Sequence, residues 1–276
     1  MNPNVRSLIA FNTDSQVITT VRSIGVLYAQ ATPLGGTISG SSSIMQLDGW
    51  NWEDAAVQAD DGIHINWPRR FSWSWQTRQL GPNRRFAEQV EALKAFIREA
   101  QAYCAVDHSA ENLKLRSMCD ALAGDQQVYV HADLAKDIEQ AILLGQEFGF
   151  KVVIIGGRDS YMITDLLKAQ DVPVILGPTH DMPGSPDADV DQPFKTPAML
   201  HEAGVRFALS QDGSWQQRNL PFLAGTAVAY GLPYEAAIQA LTQHSADIIG
   251  LGDQMGSLES GKTASLFISS GDALDM

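Results

Sequence analysis

From residue 128 onward the chain alternates short apolar runs with amphipathic stretches, and this period constrains the fold more than any other feature. VYVH at 128–131, VVII at 152–155, VPVIL at 172–176 and the run at 205–209 read as strands, and 134–148, 160–169 and 196–203 read as the helices between them. The runs are apolar throughout, the pattern of parallel strands buried on both faces. Upstream, 26–31, 44–47 and 63–67 add three more strands. The fold class expected is therefore α/β, an incomplete (β/α)8 TIM-type barrel about one strand short of closure, with an open doubly wound sheet as the alternative. No GxGxxG follows the first strand, which argues against a dinucleotide site.

The first half of the chain is less regular. Residues 14–23 read as a helix with Asp14 as its N-cap. The Gly- and Ser-rich segment 33–43 reads as a loop at a strand end, since it lacks the lysine of a phosphate-cradling GxxxxGK[ST] motif. The segment 68–82 holds Trp73, Trp75 and several arginines and reads as an excursion that packs its tryptophans on the barrel. A long amphipathic helix over 83–106, with Val90, Leu93, Phe96, Ile97 and Ala100 at three-to-four spacing, and a second helix over 110–122 form a helical insertion at about 83–123. Cys104 and Cys119 have no CxxC spacing and read as buried thiols rather than a metal pair or a disulfide.

Charge narrows the partners. Nineteen Lys and Arg against 32 Asp and Glu leave a net charge of −13, and nucleic-acid binding depends on the opposite balance. No apolar run approaches the ~20 residues of a membrane span, and the first residues lack the basic region and apolar core of a signal peptide. The expected partner is a small-molecule substrate of a soluble protein, without nucleic acid or membrane; a homo-oligomer remains open.

Chemistry-bearing residues stand where the strands end. His131 ends VYVH, Gly156 and Gly157 follow VVII, His180 lies in GPTHDM at 177–182, and Asp212 follows the run at 205–209. In a barrel these ends share one rim, the usual place for catalysis. Imidazole and carboxylate converging there can hold a divalent metal such as zinc, with His131, Asp212 and His180 as ligands, and Asp212 passing the proton of a metal-bound water. Each has a plainer reading: Asp212 starting a turn or capping a helix, His131 hydrogen-bonded beneath the rim, His180 a solvent-exposed loop histidine. His64 alternates with Ile63 and Ile65 and faces either the interior or the outside. His108, His201 and His244 read as ordinary residues in or beside helices, and the acidic loop 178–197 as solvated.

FALSQDGS at 207–214 and GLPYEAAIQALTQHSADIIGLGDQMGSLESGKTASLFISSGDALD at 231–275 resemble the metal-dependent amidohydrolase superfamily, in particular its imidazolonepropionase-like branch. The resemblance implies a barrel over 1–255 and, over 256–276, a strand belonging to a small β-sandwich. It makes Asp212 the catalytic aspartate ending the last barrel strand, and it makes His131 of VYVHAD the fifth-strand metal ligand. It implies hydrolysis of C–N bonds in amides or cyclic amides through a metal-activated water. The chain also departs from the family. It has no HxH pair, Gly156 or Gly157 stands at the sixth-strand histidine position, and the amino-terminal sandwich strands are absent, so Met1 reads as the start of a fragment. The departures imply the alternative, a non-catalytic barrel that has lost its ligand set and serves as a binding or assembly module.

Overall fold

A computed structural model describes residues 1–74, 76, 78–107, 109–185, 187–213 and 215–275. The readings made for Trp75 and His108 lie outside the described residues, as does Ser214 at the end of the FALSQDGS stretch.

Seven strands form one sheet in the order β1 (Tyr28–Ala31), β2 (Ile38–Gln46), β3 (Ala56–Asn66), β6 (Gln127–Ala132), β7 (Lys151–Gly156), β8 (Val174–Leu176) and β9 (Phe207–Leu209). From β3 to β9 every pairing is parallel, whereas β1–β2 and β2–β3 pair antiparallel. The sheet curls into half of a barrel, in keeping with an incomplete TIM-type fold. A separate hairpin of β4 (Phe71–Ser74) and β5 (Gln79–Pro82) projects after β3. Trp73 on that hairpin is half exposed, so it does not pack on the barrel as expected.

The helices are α1 (Gln16–Arg22), α2 (Trp52–Ala55), α3 (Phe86–Cys104), α4 (Leu113–Arg116), α5 (Cys119–Ala123), α6 (Ala135–Phe148), α7 (Thr164–Ala169), α8 (Gln192–Ala203), α9 (Leu220–Ala229), α10 (Tyr234–Leu241) and α11 (Gln243–Ile248). Among the described residues none is long and apolar enough to cross a membrane. The helical segment over 83–123 carries the crossover from β3 to β6: α3 buries Leu93, Ile97 and Ala100 in one core with Ile63, Ile65, Val128 and Val130. Truncating such a buried leucine or isoleucine costs about 2–5 kcal/mol. The three-to-four spacing of those residues puts them on one face, which is why this stretch is helical and why that face turns inward.

Three expectations are corrected. Ser15, not Asp14, caps α1, its Oγ accepting from the Val17 N–H; Asp14 instead donates its own N–H to Asn12. The Gly/Ser segment is not a loop in its second part: β2 runs through Ser39, Ser41, Ser42 and Ser43, all buried. Their hydroxyls are consumed locally, Ser41 Oγ on Asp60, Ser42 Oγ on the Gly62 carbonyl, and Ser43 Oγ accepting the Asp60 N–H, so small polar side chains fill an interior without orphaned groups. Cys104 and Cys119 are not free thiols but a disulfide with Cα atoms 5.5 Å apart. The end of α3 meets the start of α5, and it is this meeting of helix ends, not any short sequence spacing, that brings the sulfurs together.

Residues 256–275 form no strand. The tail instead runs from β1 to α9. Tyr28 Oη and Ser265 Oγ share a hydrogen bond of 2.5 Å, the Phe267 ring lies where a Cβ on Gly25 would be, and Leu274 is buried against Gly225.

Candidate active site

The site begins below the rim, on the inner face of β3 and β6. In the parallel register His64 stands beside Tyr129, and Asn66 beside His131. Tyr129 lies over Gly62, where any Cβ would collide with its ring. Its Oη donates to Asp61 Oδ2 at 2.9 Å, and Gln30 Nε2 from β1 donates to the same oxygen at 2.7 Å. Asp61 is buried and its Oδ1 has no partner. Burial pushes its carboxyl up from the usual carboxylate range, against the pull of the hydrogen bonds from Gln30 and Tyr129. The Tyr129 phenol is held well above its ordinary value by burial and by Asp61.

Above Tyr129 the His64 ring is stacked at 4.7 Å and 20°, completely buried. Its Nδ1 shares a hydrogen bond of 2.9 Å with His131 Nε2, while its Nε2 is buried with no partner. Burial lowers both imidazoles, His64 strongly and with a further push from His131; for His131, Asp133 pulls the other way. Both rings are therefore neutral near pH 7.

At the rim His131 is half-buried and lines an open cleft of 2240 Å³, together with Trp67, Asp133, Arg158, Ser210 and Asp212. Asp133 Oδ2 accepts from Arg158 Nη2 at 3.1 Å. Its Oδ1 explains the next strand end. Gly156 has φ 95°, and a Cβ there would stand 2.6 Å from that oxygen, so a side chain at this strand end would collide with the carboxylate of Asp133. Arg70 reaches from the β4 approach to buried Asp137 at 2.5 Å and to Gln140 at 3.0 Å. Asp137 and Asp159 are both raised by burial.

Of the three residues expected to hold a metal, two line the cleft. Asp212 lies in the coil after β9, exposed, and its carboxylate has no hydrogen-bond or ion-pair partner among the described residues. His180 turns toward α9, sharing a hydrogen bond of 2.6 Å with Thr226 Oγ1 and meeting the Phe194 ring edge-on. Among the described residues there is no group of three or more His, Cys, Asp or Glu side chains placed to hold a metal ion. A metal centre uses three or four protein donors, and here His131 already spends one ring nitrogen on His64. The residues present do not fit a bound zinc. Asp61, Tyr129, Asp133 and Arg158 were not singled out from the sequence. Alternation along 63–65 left His64 facing either the interior or the outside, and nothing local signalled its partner on the neighbouring strand.

Comparison with known proteins bears on this arrangement. The family model described as the amidohydrolase family matches residues 76–275. Amidohydrolase tasK of Hapsidospora irregularis is 27% identical over 126 residues, covering 40% of this chain and 12% of that protein. An imidazolonepropionase of Acidiphilium cryptum (strain JF-5) is 37% identical over 82 residues, covering 28% of this chain and 20% of that protein. The matches thus span a fifth or less of these curated relatives. The solved structure of an amidohydrolase from Thermotoga maritima MSB8 superposes with a TM-score of 0.86 at 25% identity, covering 99% of this chain and 74% of that chain.

Proposed function

The chain belongs to the amidohydrolase family, and from that premise we propose that it hydrolyses C–N bonds in amides or cyclic amides, with a small-molecule substrate bound in the half-barrel cleft. One observation carries the reading: His131, at the carboxyl end of β6, and Asp212, beyond the carboxyl end of β9, line the same cleft. Asp212 takes a proton from the attacking water, whose oxygen adds to the amide carbon. His131 hydrogen-bonds the carbonyl oxygen as charge builds on it. The C–N bond then breaks and the proton passes from Asp212 to the departing nitrogen. General-base assistance of this kind is worth about 10²–10⁴-fold. Similarity to an imidazolonepropionase supports a cyclic amide as the substrate class. No step is routed through zinc, because the donors do not form a centre for it.

The test is turnover of a panel of linear and cyclic amides by the purified protein, with its metal content measured, beside Asp212→Asn. Loss of about 10²–10⁴-fold in rate is the expected result; an unchanged rate overturns the reading. A second reading, a barrel that binds a small molecule without transforming it, is favoured by the missing donor group. Stoichiometric zinc that is lost on His131→Ala would count against that second reading.

A further inference from the structure

The hydrogen bond between His64 and His131 carries one proton, and the surroundings decide whose it is. Two neutral imidazoles 2.9 Å apart admit two arrangements. If His131 Nε2–H donated, His64 would carry its own proton on Nε2, a completely buried N–H with no acceptor. If His64 Nδ1–H donates, that buried Nε2 carries only a lone pair. A buried N–H with no acceptor is the rarer defect, and an unmet buried donor costs about 1–3 kcal/mol. With His64 donating, the proton of His131 sits on its other ring nitrogen, Nδ1, and His131 lines the cleft.

We propose that His64 is a positioning residue: it donates its Nδ1 proton to His131 Nε2 and so holds His131 as the Nδ1–H tautomer, which presents a hydrogen-bond donor to the cleft. The stack on Tyr129 and the floor at Gly62 keep the His64 ring from turning away. A donor at this place takes a ligand acceptor, the carbonyl oxygen of an amide or cyclic amide. It refuses a metal ion, since ligation needs the lone pair that the proton occupies. The role in catalysis rests on the hydrolase reading above, whereas the tautomer does not.

Side-chain ¹H–¹⁵N correlation spectra of the full ¹⁵N-labelled chain read the tautomers directly. Protons on Nδ1 of both His64 and His131, with both Nε2 atoms bare, are the expected result; a proton on His131 Nε2 with Nδ1 bare overturns the proposal. His64→Phe keeps a ring on Tyr129 but removes the donor, so His131 should no longer be held in one tautomer and its side-chain ¹⁵N shifts should move toward the average of the two forms. In His64→Asn the amide nitrogen takes the place of Nδ1, and the Nδ1–H form of His131 should return. Should His64→Phe fail to fold, the wild-type spectrum alone decides. Zinc titrated into the wild-type protein should leave the His131 resonances in place, and saturable zinc binding that moves them contradicts the assignment. In turnover of a cyclic amide, kcat should fall about 10²-fold in His64→Phe and recover in His64→Asn. The expected tautomers in a protein with no turnover would defeat the hydrolase reading and leave this assignment standing.

Discussion

The two sides of the cleft are built differently. On the β3–β6 side, His131 is determined from beneath by His64, which is stacked on Tyr129, which in turn sits on Gly62 and bonds Asp61. On the β9 side, Asp212 stands exposed in coil with no partner for its carboxylate among the described residues. Catalytic groups gain from being held before the substrate arrives. On the reading proposed above, this half-barrel holds His131 in advance and leaves Asp212 to be placed by what it binds.

Removing the floor beneath His131 carries the largest expected effect. Tyr129→Ala empties a fully buried aromatic site and strips Asp61 of a donor, so unfolding free energy in urea should drop by about 3–5 kcal/mol. A drop below about 1 kcal/mol would mean that the β3–β6 side is not the rigid one. Next comes the disulfide, which ties α3 and α5 over the outside of the same strands. Replacing Cys104 and Cys119 by serine should cost about 3 kcal/mol by chain-entropy reasoning for a loop of this size. A melting temperature equal to wild type in both oxidising and reducing buffer would show that this bond restrains nothing.

Third is the pH dependence of the floor. Asp61 has a folded-state pKa above its unfolded one, so the folded state holds the proton more tightly. Its contribution is favourable below the unfolded value of about 4 and is lost as pH rises toward the folded value, with a slope of up to about 1.4 kcal/mol per pH unit. Asp61→Asn should flatten that part of the stability profile; a profile parallel to wild type would show that Asp61 is ionised in the fold. The smallest effect belongs to the other side. Asp212→Ala should change stability by less than about 0.5 kcal/mol, because nothing leans on that carboxylate.

What could be read from the chain follows the same division. Apolar runs after residue 124 announced parallel strands because burial on both faces leaves no alternation to confuse, and the four strands there emerged where expected, whereas β2 and β3 begin earlier than their apolar runs. The antiparallel pairing of β1 and β2 was not legible, since β2 is serine-rich and its interior fit depends on partners at Asp60 and Gly62 across the sheet. His131 and Asp212 could be placed on one cleft because strand ends share a rim. His180 could not be judged, as its contact with Thr226 on α9 joins residues 46 apart in sequence. The pairing of His64 with His131 spans 67 residues of sequence and is a property of strand register alone.

In the proposed hydrolysis Asp212 and His131, which line one cleft, act on one substrate. Turnover of a cyclic amide by Asp212→Asn against wild type, on protein whose metal content is known, tests this most directly. A fall of about 10²–10⁴-fold in kcat/KM with an unchanged melting temperature is the predicted result. Equal turnover by the two proteins would contradict it.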